Sequence, residues 1–279
     1  MLLLWLAVAV PASAGEMQFD PPAVVQGGVV TLRYLGVPPA SAVARWFSRP
    51  LFLHPTDSGV QRLLGVDLET EPGRYQIPIR VETRTGEIER FQLELEVEPR
   101  SRSVEALTLP DVMVSPKLPE TLTRIDREVE QLKALYQLDT PPRFSDQFRL
   151  PVSDPIGSRF GLQRILNGQP RSPHSGVDFR SPLGRLVHAP APAMVVATGD
   201  YYFTGRTVVL NHGGGLISLY AHLDRVLVAE GEVIDIGQAL GEVGATGRAT
   251  GAHLHWSLRL NAARVDPLAL FEVFNGEKP

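Results

Sequence analysis

The chain has 279 residues, 43% hydrophobic and 21% charged, the ordinary balance of a folded soluble protein and long enough for two units with separate cores. A formal net charge of −4 gives no electrostatic case for nucleic acid or an anionic membrane surface. With no cysteine, disulfides, thiolate ligands and a thiol nucleophile are excluded together, so any metal must be held by His, Asp or Glu.

The opening run MLLLWLAVAVPASAG is apolar but short for a transmembrane helix. It ends in the small-x-small pattern Ala12-Ser13-Ala14, which predicts a secretory signal peptide over residues 1–14, although a basic n-region is missing. The expectation is export to the periplasm, with no stable membrane insertion after cleavage. No Cys follows the run to carry a lipid anchor.

Residues 15–98 read as short apolar runs broken by Gly, Pro and Asp-Ser-Gly: VVTLRYL, ARWFSRPLFL, QRLLGVDL, RYQIPIRVET and IERFQLELEVE. FQLELEVE alternates with period two, as a strand with one wet face does. About six such strands predict a small immunoglobulin-like β-sandwich. Its only histidine, His54, has no partner motif, so this unit reads as a packing, targeting or regulatory module. Residues 99–147 read as a linker carrying one amphipathic helix. Leu122, Ile125, Val129, Leu132 and Leu135 recur at helical spacing, Pro119 suits the first turn, and Pro141-Pro142 ends the helix. From residue 148 to 272 the chain turns to Gly, Pro and short apolar strands, predicting an all-β second domain, with a tail at 273–279. The predicted fold class is therefore all-β with one linking helix.

Six of the seven histidines fall in that second half. In RSPHSGVDFRSP, His174 and Asp178 are four apart, but Pro173 and Gly176 argue for a loop entering a strand. Taken alone, this is a metal pair, a salt bridge or a surface accident. In LISLYAHLDRV, strand alternation puts Ser218, Tyr220 and His222 on one face. A lone His222 is more often a structural histidine than a catalyst. In GATGRATGAHLHWSLRL, His253 and His255 share a strand face and project into one volume, behind glycines that permit close approach.

Together, H-x-G-x-D, then Y-x-H-L, then G-x-H-L-H resemble the lysostaphin/LytM family of zinc endopeptidases, which cut peptide cross-links in bacterial cell walls. The resemblance spans roughly Pro151 to Asp266, and the chain looks like an exported Gram-negative-type member with an additional N-terminal domain. It implies Zn2+ held by His174, Asp178 and His255, with a fourth position open for water. His222 and His253 match the family's two non-ligand histidines, which handle protons and charge. Peptidoglycan stem peptides are the implied partner, and the D-alanyl–diaminopimelate cross-link is the implied target by family analogy. Ala252 and Ser257 depart from the commoner residues without touching these positions. Tyr220 and Asn167 are candidates for substrate contact, with packing and an Asn-Gly turn as the competing readings. His188 and His212 match no motif position and read as structural. The rival function is a non-catalytic activator of another wall hydrolase, the fate of relatives that lost their ligands; here all five positions survive. A glycan- or peptide-binding module explains less.

Overall fold

A computed structural model describes residues 15–56, 59–108, 118–144 and 147–276; the expected signal peptide lies outside the described residues. Alternating sequences pair into two facing sheets at the N-terminal end. One runs Glu16–Asp20, Val29–Leu35, Gly59–Gly65 and His54–Thr56 in spatial order. The other runs Ala23–Val25, Ile88–Glu98, Gly73–Glu82, Ser41–Trp46 and Arg49–Phe52. Leu32, Tyr34 and Leu64 from the first meet Ala44, Ile79, Val81 and Leu95 from the second in one core. Among the described residues nine strands form where the pattern predicts about six. The run ARWFSRPLFL folds back at Phe47, whose φ is +50°, and three-residue strands leave no period to read.

The second half forms one large sheet in the order Ile156–Ser158, Val177–Phe179, Leu254–Leu260, Leu216–Val226, Gly205–Gly213, Ala193–Tyr201 and Val233–Ile234. Short strands attach at its sides: Ala239–Val243 pairs with Leu216–Val226, and Ala263–Val265 forms a hairpin with Leu254–Leu260. The two faces have different fates. Tyr220, Leu254, Trp256, Leu258 and Leu260 enter the main core, which the C-terminal helix at Pro267–Asn275 covers with Leu268 and Leu270. Ala197, Val209, Ile217, Leu219 and Ala221 form a smaller apolar patch on the opposite face. Helix α2 spans Pro267–Asn275, so it runs past the predicted boundary at 272. Asp266 caps it by accepting from Leu268 N–H at 3.0 Å, and Gly276 ends it at φ +71°.

The linking helix α1 spans Pro119–Leu135 with Pro at its start, as predicted. Leu132, Leu135, Tyr136 and Leu138 lie on the smaller patch of the large sheet. Leu122 and Val129, earlier on the same stripe, stay exposed. Just after the helix, Asp139 takes both Nη2 contacts of Arg62 at 2.9 and 3.0 Å, so the segment ties sandwich to sheet. Residues 104–107, which carry no clear period, form a strand parallel to Gln163–Leu166. Among the described residues no helix is long and apolar enough to cross a membrane.

The two halves are not joined by a tether alone. Val29, Leu63 and Leu68 of the sandwich belong to the main core of the large sheet. Around this contact Arg264 places Nε and Nη2 on Asp67 at 3.0 and 2.5 Å, and Arg100 meets Asp266 at 3.0 Å. Burial alone would raise the Asp67 pKa, but hydrogen bonds from Arg264 override it and hold the carboxyl below its ordinary value.

His212 is structural, as read from the sequence. It is fully buried, donates from Nδ1 to Pro192 O at 3.0 Å and accepts at Nε2 from the Ser218 hydroxyl at 2.7 Å. Burial pushes its pKa down to about 4 from 6.5, so the folded protein binds the neutral ring. Its stabilising contribution is therefore complete above pH 6.5 and is lost as pH falls toward 4. A fall of that size corresponds to roughly 3 kcal/mol. Urea unfolding from pH 7.5 to 4 should show this loss, and His212→Asn, which cannot titrate, should lack that part of the slope.

Candidate metal centre

Antiparallel pairing builds the site. Strand Val177–Phe179 pairs with Leu254–Leu260 so that Asp178 and His255 are directly opposite. His174 arrives from the loop just before Val177–Phe179, and its Nδ1 contact with Arg159 O at 3.0 Å turns Nε2 toward Asp178 and His255. His174 Nε2 lies 3.0 Å from Asp178 Oδ1 and 3.0 Å from His255 Nδ1, and the last edge, His255 Nδ1 to Asp178 Oδ1, is 2.8 Å. His174 and Asp178 are buried and His255 half-buried. Among the described residues these three are the His, Asp or Glu group able to hold a metal ion. Burial alone would raise the Asp178 pKa, but hydrogen bonds from both imidazoles hold it far below the usual carboxylate range.

The donor set fits zinc. Two imidazole nitrogens and one carboxylate oxygen are donors of the kinds zinc takes. Four-coordinate zinc with bonds of about 2.0–2.2 Å spaces its donors by about 3.3–3.5 Å. The observed triangle is a little tighter, and small side-chain rotations open it.

His222 and His253 stand beside this triangle. Their rings are 4.6 Å apart between centroids, and His222 is 6.1 Å from His255. His222 interrupts strand regularity with φ +62°, at a register shift in the pairing of Leu216–Val226. The left-handed backbone is fixed by His222 N–H donating to Thr204 O at 2.8 Å, while its Nδ1 donates to Thr246 O at 2.8 Å. Such a conformation costs about 1–3 kcal/mol and persists only where its surroundings enforce it. Burial, then repulsion from His255 and His253, pushes the His222 pKa down to about 3, so its ring is neutral near pH 7. His253 donates from Nδ1 to Gly251 O at 2.9 Å. Both rings thus keep Nε2 as the acceptor.

The reversal at His222 also corrects the expectation for Tyr220. Alternation put the two on one face, but Tyr220 is fully buried in the main core, opposite Trp256, and hydrogen bonds the Ser218 hydroxyl at 3.0 Å. Because the left-handed residue breaks the alternation, His222 leaves the Tyr220 face and joins His253 and His255. Tyr220 is a packing residue. Asn167 occupies the predicted Asn-Gly turn, with φ +49° there and +77° at Gly168. Two positive values in a two-residue hairpin are the type I′ pattern. Its side chain is exposed at the hairpin tip.

Two residues carried no sequence signal of their own. Thr246 orients His222 through a carbonyl, which any residue type supplies. Arg164 places Nη2 2.8 Å from Asp178 Oδ2, and as a single residue in a short strand it forms no spacing pattern.

The model of peptidase family M23 matches residues 172–267, a span that contains His174, Asp178, His222, His253 and His255. A solved Pseudomonas aeruginosa structure assigned to peptidase M23 is 34% identical, covers 88% of this chain and 94% of its own, and superposes with a TM-score of 0.70. The chain belongs to peptidase family M23. Curated relatives match over less than half of the chain. Peptidoglycan DD-endopeptidase ShyA of Vibrio cholerae is 36% identical over 123 residues, 43% of this chain and 29% of its own length. DD-carboxypeptidase/endopeptidase Mpg of Neisseria meningitidis is 39% identical over 119 residues, 43% of this chain and 26% of its own. The aligned segment thus spans under a third of these relatives.

Glycines make the close contacts of the site. A Cβ at Gly176 would lie 2.4 Å from Trp256 O and 2.7 Å from His255 Cε1. Gly247, at φ +71°, lets its loop approach Gly205 to where a Cβ would meet the Gly205 nitrogen at 2.3 Å. Gly176→Ala should therefore push His255 off its position and cost about 1–3 kcal/mol of stability through overpacking. Denaturant unfolding of the metal-free protein measures it; wild-type stability would contradict the close approach.

Proposed function

We propose that the chain is a zinc-dependent endopeptidase that hydrolyses peptide cross-links of bacterial peptidoglycan, with the D-alanyl–diaminopimelate bond as its substrate. The observation that carries this reading is the convergence of His174, Asp178 and His255 on one point with His222 and His253 alongside. The name of the aligned Vibrio cholerae relative, a peptidoglycan DD-endopeptidase, supports the substrate class. In this reading His174 Nε2, Asp178 Oδ1 and His255 Nδ1 hold the ion.

Zinc supplies Lewis-acid polarisation of the scissile carbonyl and acidification of water toward a pKa of about 7. The remaining work falls to the chain's own groups. With Nδ1 committed to Thr246 O, neutral His222 accepts a proton at Nε2 from the attacking water. His253, committed at Nδ1 to Gly251 O, does the same or, once protonated, donates from Nε2 to the carbonyl oxygen as charge develops. The proton taken from water is returned to the leaving amine as the C–N bond breaks. Asn167, at the exposed tip of the hairpin that carries Arg164, is the candidate for contact with the bound peptide.

The same proposal places the mature chain in the periplasm after loss of residues 1–14. It divides the chain into an accessory unit at 15–98, a linker with its helix at 99–147 and the peptidase at 148–272; the separate sandwich core supports this division. Two facing sheets packed around one core support an immunoglobulin-like description of the accessory unit. Retention of all five polar positions favours a hydrolase over a non-catalytic activator.

His255→Ala removes one of three protein ligands, so zinc content and turnover should both collapse. His253→Ala leaves the ligand set intact, so zinc should stay near stoichiometric while turnover falls by about 10²–10⁴. Metal analysis with single-turnover cleavage, and a melting curve for each variant, checks this. Retention of zinc by His255→Ala and its loss by His253→Ala would reverse the assignment.

A further inference from the structure

The two oxygens of Asp178 have different partners. Oδ1 is the vertex shared by His174 Nε2 and His255 Nδ1. Oδ2 accepts from Arg164 Nη2 at 2.8 Å, in an ion pair where the aspartate side chain is only 10% exposed. A charge-assisted bond at that distance is among the stronger hydrogen bonds, and the guanidinium is never deprotonated. Oδ2 is thus occupied before any ion arrives.

Arg164 is itself held. It lies in strand Gln163–Leu166, flanked on one side by Val104–Leu107 in parallel and on the other by Gln169–Pro170. Glu105, opposite Arg164 in that parallel register, brings Oε2 to 3.5 Å from the guanidinium Nε. The opposite charge compensates an Nε that makes no hydrogen bond.

We propose that Arg164 is a positioning residue that reserves Oδ2 of Asp178, making the aspartate a one-oxygen ligand so that the protein offers three donor atoms and not four. This rests on the zinc reading above. A carboxylate free to turn can give both oxygens to a metal and fill the position that water or substrate needs. Groups that hydrogen bond to a ligand typically change metal affinity 10–100-fold.

The test uses the full-length protein with Arg164→Met and Arg164→Lys, zinc affinity measured by chelator competition, and the visible absorption of the cobalt(II)-loaded forms. Melting curves of the metal-free proteins establish which variants fold. Arg164→Met should bind zinc about 10–100-fold more weakly, and its cobalt bands should weaken as the second oxygen joins and coordination expands beyond four. Arg164→Lys keeps the charge but not the planar fork, and should shift in the same direction by less. Either folded variant showing wild-type zinc affinity and an unchanged cobalt spectrum would overturn the proposal. Failure of the wild type to bind zinc would instead overturn the metal reading on which it rests.

Discussion

One carboxylate oxygen, Oδ1 of Asp178, lies within 3.0 Å of imidazole nitrogens from two separate parts of the chain. Bringing an anion and two rings together in a buried volume carries a desolvation cost, and it stands only because each group is held from behind. The cross-strand pairing of Asp178 with His255 fixes two corners. The Arg159 carbonyl fixes the ring of His174, and the absence of a side chain at Gly176 leaves the space into which His255 fits. The large sheet behind them, with Trp256 and Tyr220 packed in its core, keeps those strands in register.

That sheet needs both faces covered, and the chain covers them unequally. The main core takes one face, sealed by helix α2 and by Val29, Leu63 and Leu68 of the sandwich. On the other face helix α1 lies over Ile217, Leu219 and Ala221, and Ala221 is the cross-strand partner of His255. The linking helix is therefore a neighbour of the histidine cluster. Glu128 of that helix accepts from Tyr202 N–H at 2.7 Å, and Tyr202 lies two residues before Thr204, whose carbonyl holds His222. A continuous run of contacts joins the helix to the strained residue of the site. The ionic contacts of Asp67 with Arg264 and of Arg62 with Asp139 make the sandwich part of the same framework.

The polar residues of the site were legible because their chemistry survives as spacing. Two histidines two apart on a strand must share a face, and His253-Leu254-His255 does this with Leu254 in the core. His174 and Asp178 were ambiguous alone and became specific only in conjunction with the other motifs. Period-two alternation gave the strands of the sandwich, and helical spacing gave α1. The failures have equally specific causes. Alternation cannot report a residue with positive φ, so the turn of the chain at His222 misplaced Tyr220. Four-residue strands such as Val104–Leu107 are too short to carry a period, and the grip of Arg164 on Asp178 depends on a tertiary pairing no local pattern encodes.

The proposed activity is cleavage of a peptide cross-link with a zinc ion held by His174, Asp178 and His255. It is tested most directly by mass spectrometry of purified, cross-linked peptidoglycan fragments after incubation with the mature protein, run as isolated, after chelation and after zinc is restored. Cross-linked dimers should convert to monomers, each cleavage adding one water across the D-alanyl–diaminopimelate bond. Cleavage should cease on chelation and return with zinc. Dimers that persist in the zinc-loaded reaction, or cleavage that continues at full rate after the metal is removed, would contradict it.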